Sequence, residues 1–172
     1  MEINSEKTFI DRLIVVDDEE DIRLLLRDTL QDHYDLSVQE GGEDAIACVR
    51  QSLEMNKPFS VAIMDLNMPG MDGITTAMKI RELDERIHLI LMAGESRNIL
   101  ETLDESLKNN LILVRKPFAI YDVFMLTQYL CKTWQMARTL EVRSAELSTK
   151  VHQSESIRAT IKPSLKQPWI VS

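Results

Sequence analysis

Three aspartates and a lysine occupy positions in this chain where chemistry could be done. Asp17 and Asp18 come directly after a short apolar run, and Asp65 ends another such run. Lys116 comes just after a third. Clustered carboxylates repel one another unless a cation lies between them, and a neighbouring lysine could hold a phosphoryl oxygen during in-line attack on phosphorus. These residue types therefore suit metal-assisted phosphoryl transfer onto an aspartate.

The elements that would position these residues are apolar runs that alternate with amphipathic stretches. The five predicted strands are Leu13–Val16, Asp35–Val38, Val61–Asp65, Leu89–Ala93 and Leu111–Val114, of which the second mixes polar with apolar residues. Helical spacing follows each of the first four, and the fourth helix is predicted around Ile99–Leu107. This alternation predicts βαβ crossovers and a doubly wound, five-stranded parallel sheet. Parallel strands end at one edge of a sheet, where we expect Asp17, Asp18, Asp65, Ala93 and Lys116.

The ligand chemistry of this edge indicates which cation would suit it. Asp17, Asp18 and Asp65 offer oxygen ligands alone. Oxygen ligands suit a hard ion such as Mg²⁺, which keeps several waters and takes only one or two protein carboxylates. The sequence therefore predicts a Mg²⁺ site among the three aspartates.

Three motifs resemble the receiver domain of two-component response regulators. They are Val16-Asp17-Asp18-Glu19, Met64-Asp65-Leu66-Asn67-Met68-Pro69-Gly70-Met71-Asp72-Gly73 and Lys116-Pro117-Phe118. The resemblance covers roughly residues 11–131, with the motifs in the correct order. In this family the peptide bond into the proline after the lysine is commonly cis, so we expect a cis bond before Pro117.

The resemblance implies a fold, a reaction and a set of roles. The fold is flavodoxin-like, with strand order 2-1-3-4-5. Asp65 would accept a phosphoryl group from a histidine kinase or a phosphotransfer protein. Asp18, Asp65 and the main-chain carbonyl of Asn67 would bind Mg²⁺, and Asp17 would act through a water ligand. Lys116 would contact the phosphoryl group.

Two positions depart from the family pattern. Receivers usually carry Thr or Ser at the end of the fourth strand and Tyr or Phe three residues before the lysine, whereas this chain has Ala93 and Leu113. Losing one neutral hydrogen bond costs about 0.5–1.5 kcal/mol net, so we expect the acceptor chemistry to survive. We expect the phosphorylation signal either to be weaker or to run through the extended last helix and dimerisation.

A long helical stretch follows the receiver-like segment, because no Gly or Pro lies between Ala119 and Lys162. A heptad frame fits Val123, Leu126, Leu130, Thr133, Ala137, Leu140, Ser144, Leu147, Val151, Ser154, Arg158 and Ile161. This frame predicts a homodimeric coiled coil, and a helix packed back on its own domain is the alternative. The predicted organisation is a leader (1–10), a receiver domain (11–131), a helical extension (132–162) and a loose tail (163–172).

Charge and composition exclude some classes of protein. The formal net charge of −8 argues against nucleic acid as a general partner. This charge is unevenly spread, because residues 1–131 carry −12 and residues 132–172 carry +4. No apolar run approaches the roughly 18 residues of a membrane span, and residues 1–11 lack the apolar segment of a signal peptide. We therefore expect a cytoplasmic protein without a membrane partner, in which Cys48 and Cys131 are free thiols.

Three functions stay open on the sequence. The first is a phosphoryl-accepting response regulator, which is not an enzyme beyond its own phosphorylation and dephosphorylation. The second is an N-terminal receiver fragment that regulates a missing diguanylate cyclase, phosphodiesterase or kinase. The third is an unphosphorylated scaffold with a receiver fold. A DNA-binding regulator is disfavoured because residues 132–172 leave no room for a helix-turn-helix domain.

Overall fold

The computed structural model describes residues 11–94, 107 and 109–161, with side chains described up to residue 150. Strands and helices alternate along this part of the chain. They are β1 (Arg12–Val16), α1 (Glu20–Leu30), β2 (Asp35–Gln39), α2 (Gly42–Glu54), β3 (Val61–Asp65), α3 (Gly73–Leu83), β4 (His88–Ala93), β5 (Leu111–Arg115) and α4 (Ile120–Ile161). The helix predicted around Ile99–Leu107 lies outside the described residues, apart from Leu107, which is buried.

The five strands form one parallel sheet in the order β2-β1-β3-β4-β5. The central register pairs Val15 with Ile63 and Ile63 with Ile90. This arrangement confirms the predicted doubly wound sheet and its 2-1-3-4-5 order. Because all strands run the same way, their carboxyl ends share one edge of the sheet.

The core has two halves, one on each face of the sheet. Alternate strand residues point to opposite faces, so Ile14 and Met64 pack with α2 and α3, whereas Leu13 and Ile63 pack with α1 and the start of α4. All five residues of β3 are buried. The continuous apolar run at β3 therefore marks a strand covered on both faces, as the sequence predicts.

The first part of α4 packs on the sheet. Val123 and Leu130, which the predicted heptad frame assigns to a coiled-coil seam, are buried in the second half of the core. The frame is therefore wrong at these positions, because their apolar spacing serves packing within the domain. The described residues up to Trp134 form one compact unit, and those from Gln135 onward form a second. No helix in the described part of the chain is long and apolar enough to cross a membrane.

Candidate functional site

Lys116 lies at the centre of the charged side chains on the carboxyl edge of the sheet. Its Nζ is 2.7 Å from Asp65 Oδ1, 3.3 Å from Asp17 Oδ2 and 3.3 Å from Glu19 Oε1. Burial lowers the pKa of Lys116, but the hydrogen bond to Asp65 and the charges of Asp17 and Asp65 outweigh burial and raise the pKa above its ordinary value. Lys116 is therefore a firmly protonated cation shared by three carboxylates.

Asp65 is held in place by the backbone around the end of β3. Its Oδ2 accepts a hydrogen bond from the Asn67 backbone N–H at 2.8 Å, and Leu66 N donates to Met92 O at 2.9 Å. The residue is 4% exposed. One carboxylate oxygen is thus fixed by the following turn, while the other contacts Lys116.

Asp17 is fully buried at the end of β1. Its Oδ1 accepts from Glu19 N at 2.9 Å, and the Arg23 guanidinium donates to its backbone carbonyl at 2.6 Å. Burial raises the pKa of Asp17, and the neighbouring charge of Asp65 adds to this, although the hydrogen bond from Glu19 and the charge of Lys116 lower it. The pKa stays above its ordinary value, so Lys116 alone does not compensate the burial of this carboxylate.

Asp18 and Asn67 lie on a neighbouring cleft of about 640 Å³. Its lining comes from the loop that follows β1, from the loop between β3 and α3, and from the first turn of α3. The lining residues are Asp18, Leu66, Asn67, Met68, Pro69, Asp72, Ile74 and Thr75. The cleft therefore opens beside the carboxylates, with two acidic side chains on largely apolar walls.

The start of α3 fixes the far end of this loop. Asp72 caps the helix, because its carboxylate accepts from the Thr75 backbone N–H at 2.7 Å and from the Thr75 hydroxyl at 3.1 Å. Gly73 lies against the end of β3: a Cβ there would overlap the carbonyl oxygen of Asp65 and come within 2.8 Å of Leu66 Cα. Only glycine allows this approach between the helix and the strand that carries Asp65.

The two positions that depart from the family pattern lie at neighbouring strand ends. Ala93 is fully buried at the end of β4, and its carbonyl accepts from the Lys116 backbone N–H at 2.7 Å. Leu113 of β5 is half-buried against the first half of the core. The peptide bond between Lys116 and Pro117 is cis, as expected.

The residues at this edge fit a hard cation by their donor chemistry. Asp17, Asp18 and Asp65 supply carboxylate oxygens, and the raised pKa of buried Asp17 shows that more positive charge would be favourable there. Among the side chains that the structure describes, no group of three His, Cys, Asp or Glu residues is gathered around one point. Asp17 and Asp65 contact Lys116 instead.

Two residues near the site were not assigned a role from the sequence. Glu19 reaches Lys116, and Arg23 bonds the carbonyl of Asp17. The available signal was position, since Glu19 directly follows the paired aspartates and Arg23 lies near the start of α1. Of the predicted site residues, Asp17, Asp65 and Lys116 lie together. Ala93 contacts the backbone of Lys116. Asp18 and Asn67 lie on the adjoining cleft.

A doubly wound parallel sheet with paired aspartates and a lysine at its carboxyl edge defines a class of α/β phosphoacceptor domains. The model of the response regulator receiver domain matches residues 13–125 of this chain. The chain therefore belongs to the receiver-domain family. Members of this family are signalling domains that accept a phosphoryl group on an aspartate and generally bind Mg²⁺ at the acidic site.

Similar proteins agree with this assignment. The transcriptional regulatory protein ResD of Bacillus subtilis (strain 168) is 33% identical over 123 residues, which cover 70% of this chain and 48% of ResD. The transcriptional regulatory protein SrrA of Staphylococcus aureus (strain NCTC 8325 / PS 47) is 29% identical over 145 residues, which cover 83% of this chain and 52% of SrrA. The chain thus spans about half the length of these curated relatives.

A solved structure shows the same fold. The chemotaxis protein CheY4 of Vibrio cholerae aligns with a TM-score of 0.61 and 22% identity, over 71% of this chain and 99% of that one. At this level of identity the likeness concerns the fold alone.

Proposed function

We propose that this chain is a response regulator receiver that accepts a phosphoryl group on Asp65 from a histidine kinase or a phosphotransfer protein. The observation that carries the proposal is the 2.7 Å contact between Asp65 Oδ1 and Lys116 Nζ. It leaves a nearly buried carboxylate, oriented by the Asn67 N–H, beside a cation that can follow the transferred group.

The reaction proceeds by attack of one Asp65 carboxylate oxygen on the phosphorus of a phosphohistidine. The new P–O bond forms as the P–N bond breaks, and the imidazole nitrogen leaves with its electron pair. Lys116 contacts the transferred oxygens and offsets their charge, so positioning and electrostatics supply most of the catalysis. Asp17 helps to hold Lys116, whose Nζ lies 3.3 Å from Asp17 Oδ2.

Mg²⁺ supplies further charge neutralisation at this site when it is bound. Asp18, Asp65 and the Asn67 carbonyl would hold it, with Asp17 acting through a water. All four residues lie at the same edge or on the adjoining cleft, and their ligands are all oxygen. This set is the one that the sequence motifs predict.

The signal leaves the site through the segment that follows Lys116, and dimerisation is the response. Ala93 offers no hydroxyl and Leu113 no aromatic ring, so the usual relay beside β4 lacks its side chains. Lys116 directly follows β5 and lies four residues before Ile120, where α4 begins. A change in the contacts of Lys116 therefore reaches α4 over a very short length of chain.

Intact mass after incubation with acetyl phosphate and Mg²⁺ tests the acceptor. We expect the wild type to gain the mass of one phosphoryl group and Asp65→Asn to gain none. Asp72→Asn is the matched control, since this second aspartate near the cleft caps α3, and it should still be labelled. Labelling of Asp65→Asn would contradict Asp65 as the acceptor, whereas an unlabelled wild type would contradict the proposal and favour an unphosphorylated scaffold.

A further inference from the structure

Glu19 is by far the most exposed of the three carboxylates that contact Lys116. The side chains of Asp17, Asp65 and Glu19 are 0%, 6% and 63% exposed. A buried carboxylate that loses its cation is left as an uncompensated charge, whereas water can solvate an exposed carboxylate in place of its cation. Of the three contacts, the one with Glu19 therefore costs the least free energy to release.

The ammonium of Lys116 has its hydrogen-bonding capacity filled. A lysine side chain carries three N–H donors, and Nζ lies 2.7 Å from Asp65 Oδ1, 3.3 Å from Asp17 Oδ2 and 3.3 Å from Glu19 Oε1. A further oxygen acceptor can be bonded by Lys116 only when one of these three oxygens gives way. A phosphoryl group on Asp65 would bring such oxygens to the ammonium.

The charge at the site points to Glu19 as the acceptor that gives way. Phosphorylation replaces the single negative charge of Asp65 by a group with roughly two negative charges. The carboxylate of Glu19 contacts the same ammonium that would contact this group, so two like charges would lie close together. Like charges at such a distance repel. Glu19 and the phosphoryl group therefore compete for one cation.

The backbone of Glu19 is fixed, and its side chain is directed to Lys116. Glu19 occupies the N-cap position of α1, yet within the described helix its side chain caps no backbone N–H. Its own N–H donates to Asp17 Oδ1 at 2.9 Å, and its carbonyl accepts from Arg23 N at 3.1 Å. The side chain instead reaches a residue 97 positions away in the sequence. Its contact thus belongs to the acidic edge of the sheet and not to the helix that it begins.

We propose that Glu19 is a positioning residue that holds Lys116 in the unphosphorylated site and is displaced when a phosphoryl group binds there. The inference rests on the proposed function, because it concerns phosphorylation of Asp65. The displaced carboxylate stays at the N-terminus of α1, where the helix dipole favours an anion. Glu19 thereby steadies the empty site and lowers its affinity for the phosphoryl group.

Calorimetric titration of the full chain with beryllofluoride, a noncovalent mimic of the phosphoryl group, tests this competition in excess Mg²⁺. We expect Glu19→Gln to bind the mimic about threefold more tightly than the wild type, since an exposed ion pair changes an equilibrium by up to about fivefold. Glu20→Gln is the matched control. It removes the same charge from an exposed residue in the first turn of α1, and it should leave the affinity unchanged.

Salt separates an electrostatic role of Glu19 from a structural one. Raising the ionic strength from about 0.1 M to about 1 M shortens the Debye length from about 10 Å to about 3 Å. The advantage of Glu19→Gln over the wild type should therefore shrink at high salt. A substitution that acted by disturbing the loop after β1 would change the affinity equally at both salt concentrations.

Equal or weaker binding by Glu19→Gln would overturn the inference, as would an equal gain in Glu20→Gln or a gain that does not depend on salt. Intact mass after incubation of the same proteins with acetyl phosphate separates this result from the acceptor proposal. Normal labelling of the wild type, with unchanged affinity in Glu19→Gln, counts against the role of Glu19 alone. A wild type that takes no label and binds no beryllofluoride counts against both proposals.

Discussion

At each of two edges of the sheet, a single side-chain cation contacts three oxygen acceptors: Lys116 at one edge and Arg81 at the other. At the carboxyl edge, Lys116 contacts the carboxylates of Asp17, Glu19 and Asp65. At the amino edge, Arg81 donates to three backbone carbonyls: Nη1 bonds those of Glu85 and Ile87 at 2.6 and 2.8 Å, and Nη2 bonds that of Asn109 at 3.0 Å.

The two cations differ in what they hold. The planar fork of Arg81 joins α3 to the backbone before β4 and before β5, and its partners are neutral. Lys116 balances charges, and another cation could balance the same charges. The comparison teaches that a cation bonded to backbone shapes the fold, whereas a cation bonded to carboxylates can be exchanged and is suited to a reaction.

Replacing Arg81 should have the largest effect on stability. Arg81→Ala leaves three carbonyls without their donor, and we expect the free energy of unfolding to fall by about 3 kcal/mol. Urea unfolding measures this loss. Arg81→Lys, which keeps the charge without the fork, should recover only part of it. Phosphoryl labelling of the folded Arg81→Ala variant should match the wild type; a selective loss of labelling would break the contrast between the edges.

Replacing Lys116 should have a smaller and reversible effect. Lys116→Met leaves Asp17 and Asp65 close together without their cation. In the presence of a chelator, we expect the free energy of unfolding to fall by roughly 2 kcal/mol. Added Mg²⁺ should restore most of it, because the cation binds the folded carboxylates and stabilises that state. Unfolding curves with and without Mg²⁺ measure the difference. The idea of an exchangeable cation fails if Mg²⁺ stabilises Lys116→Met no more than it stabilises Arg81→Ala.

Adding a hydroxyl at position 93 should have the smallest effect. Ala93→Thr supplies the group that receivers usually carry at this position, and one neutral hydrogen bond is worth about 1 kcal/mol. We expect a stronger phosphorylation-dependent change, read as the shift of the monomer–dimer equilibrium by beryllofluoride. Ala93→Val has nearly the same shape without the hydroxyl and is the matched control. An equal response from both variants would show that the missing hydroxyl does not weaken the switch.

The sequence predicts the sheet and the acidic edge well because both are encoded locally. A run such as Val61–Met64 can be apolar throughout only if both faces of the strand are buried, and the residue after such a run lies at the strand end. Contacts made by rotatable side chains are harder to predict. Glu19 reaches Lys116 only because β1 and β5 end at the same edge, so its role depends on the tertiary structure.

The long helix shows a different difficulty. Apolar residues lie on more than one face of α4, and their periodicity does not tell which face packs on the sheet. The heptad frame joins Val123 and Leu130, which are buried in the domain, to Leu140 and Leu147, which are exposed. The two sets belong to separate surfaces. Only the burial of the first set in the structure separates them.

The glycine at the start of α3 limits which parts of the site can move. Gly73 N donates to Leu66 O at 2.9 Å, and the absent side chain lets the two backbones touch. The connection between β3 and α3 is thus a loop with both ends fixed. Its middle is less enclosed, because Pro69 and Gly70 are exposed and Gly70 has a φ of 76°. Substitutions there could reshape the cleft for a different partner without displacing Asp65, so recognition could diverge among relatives while the acceptor stays in place.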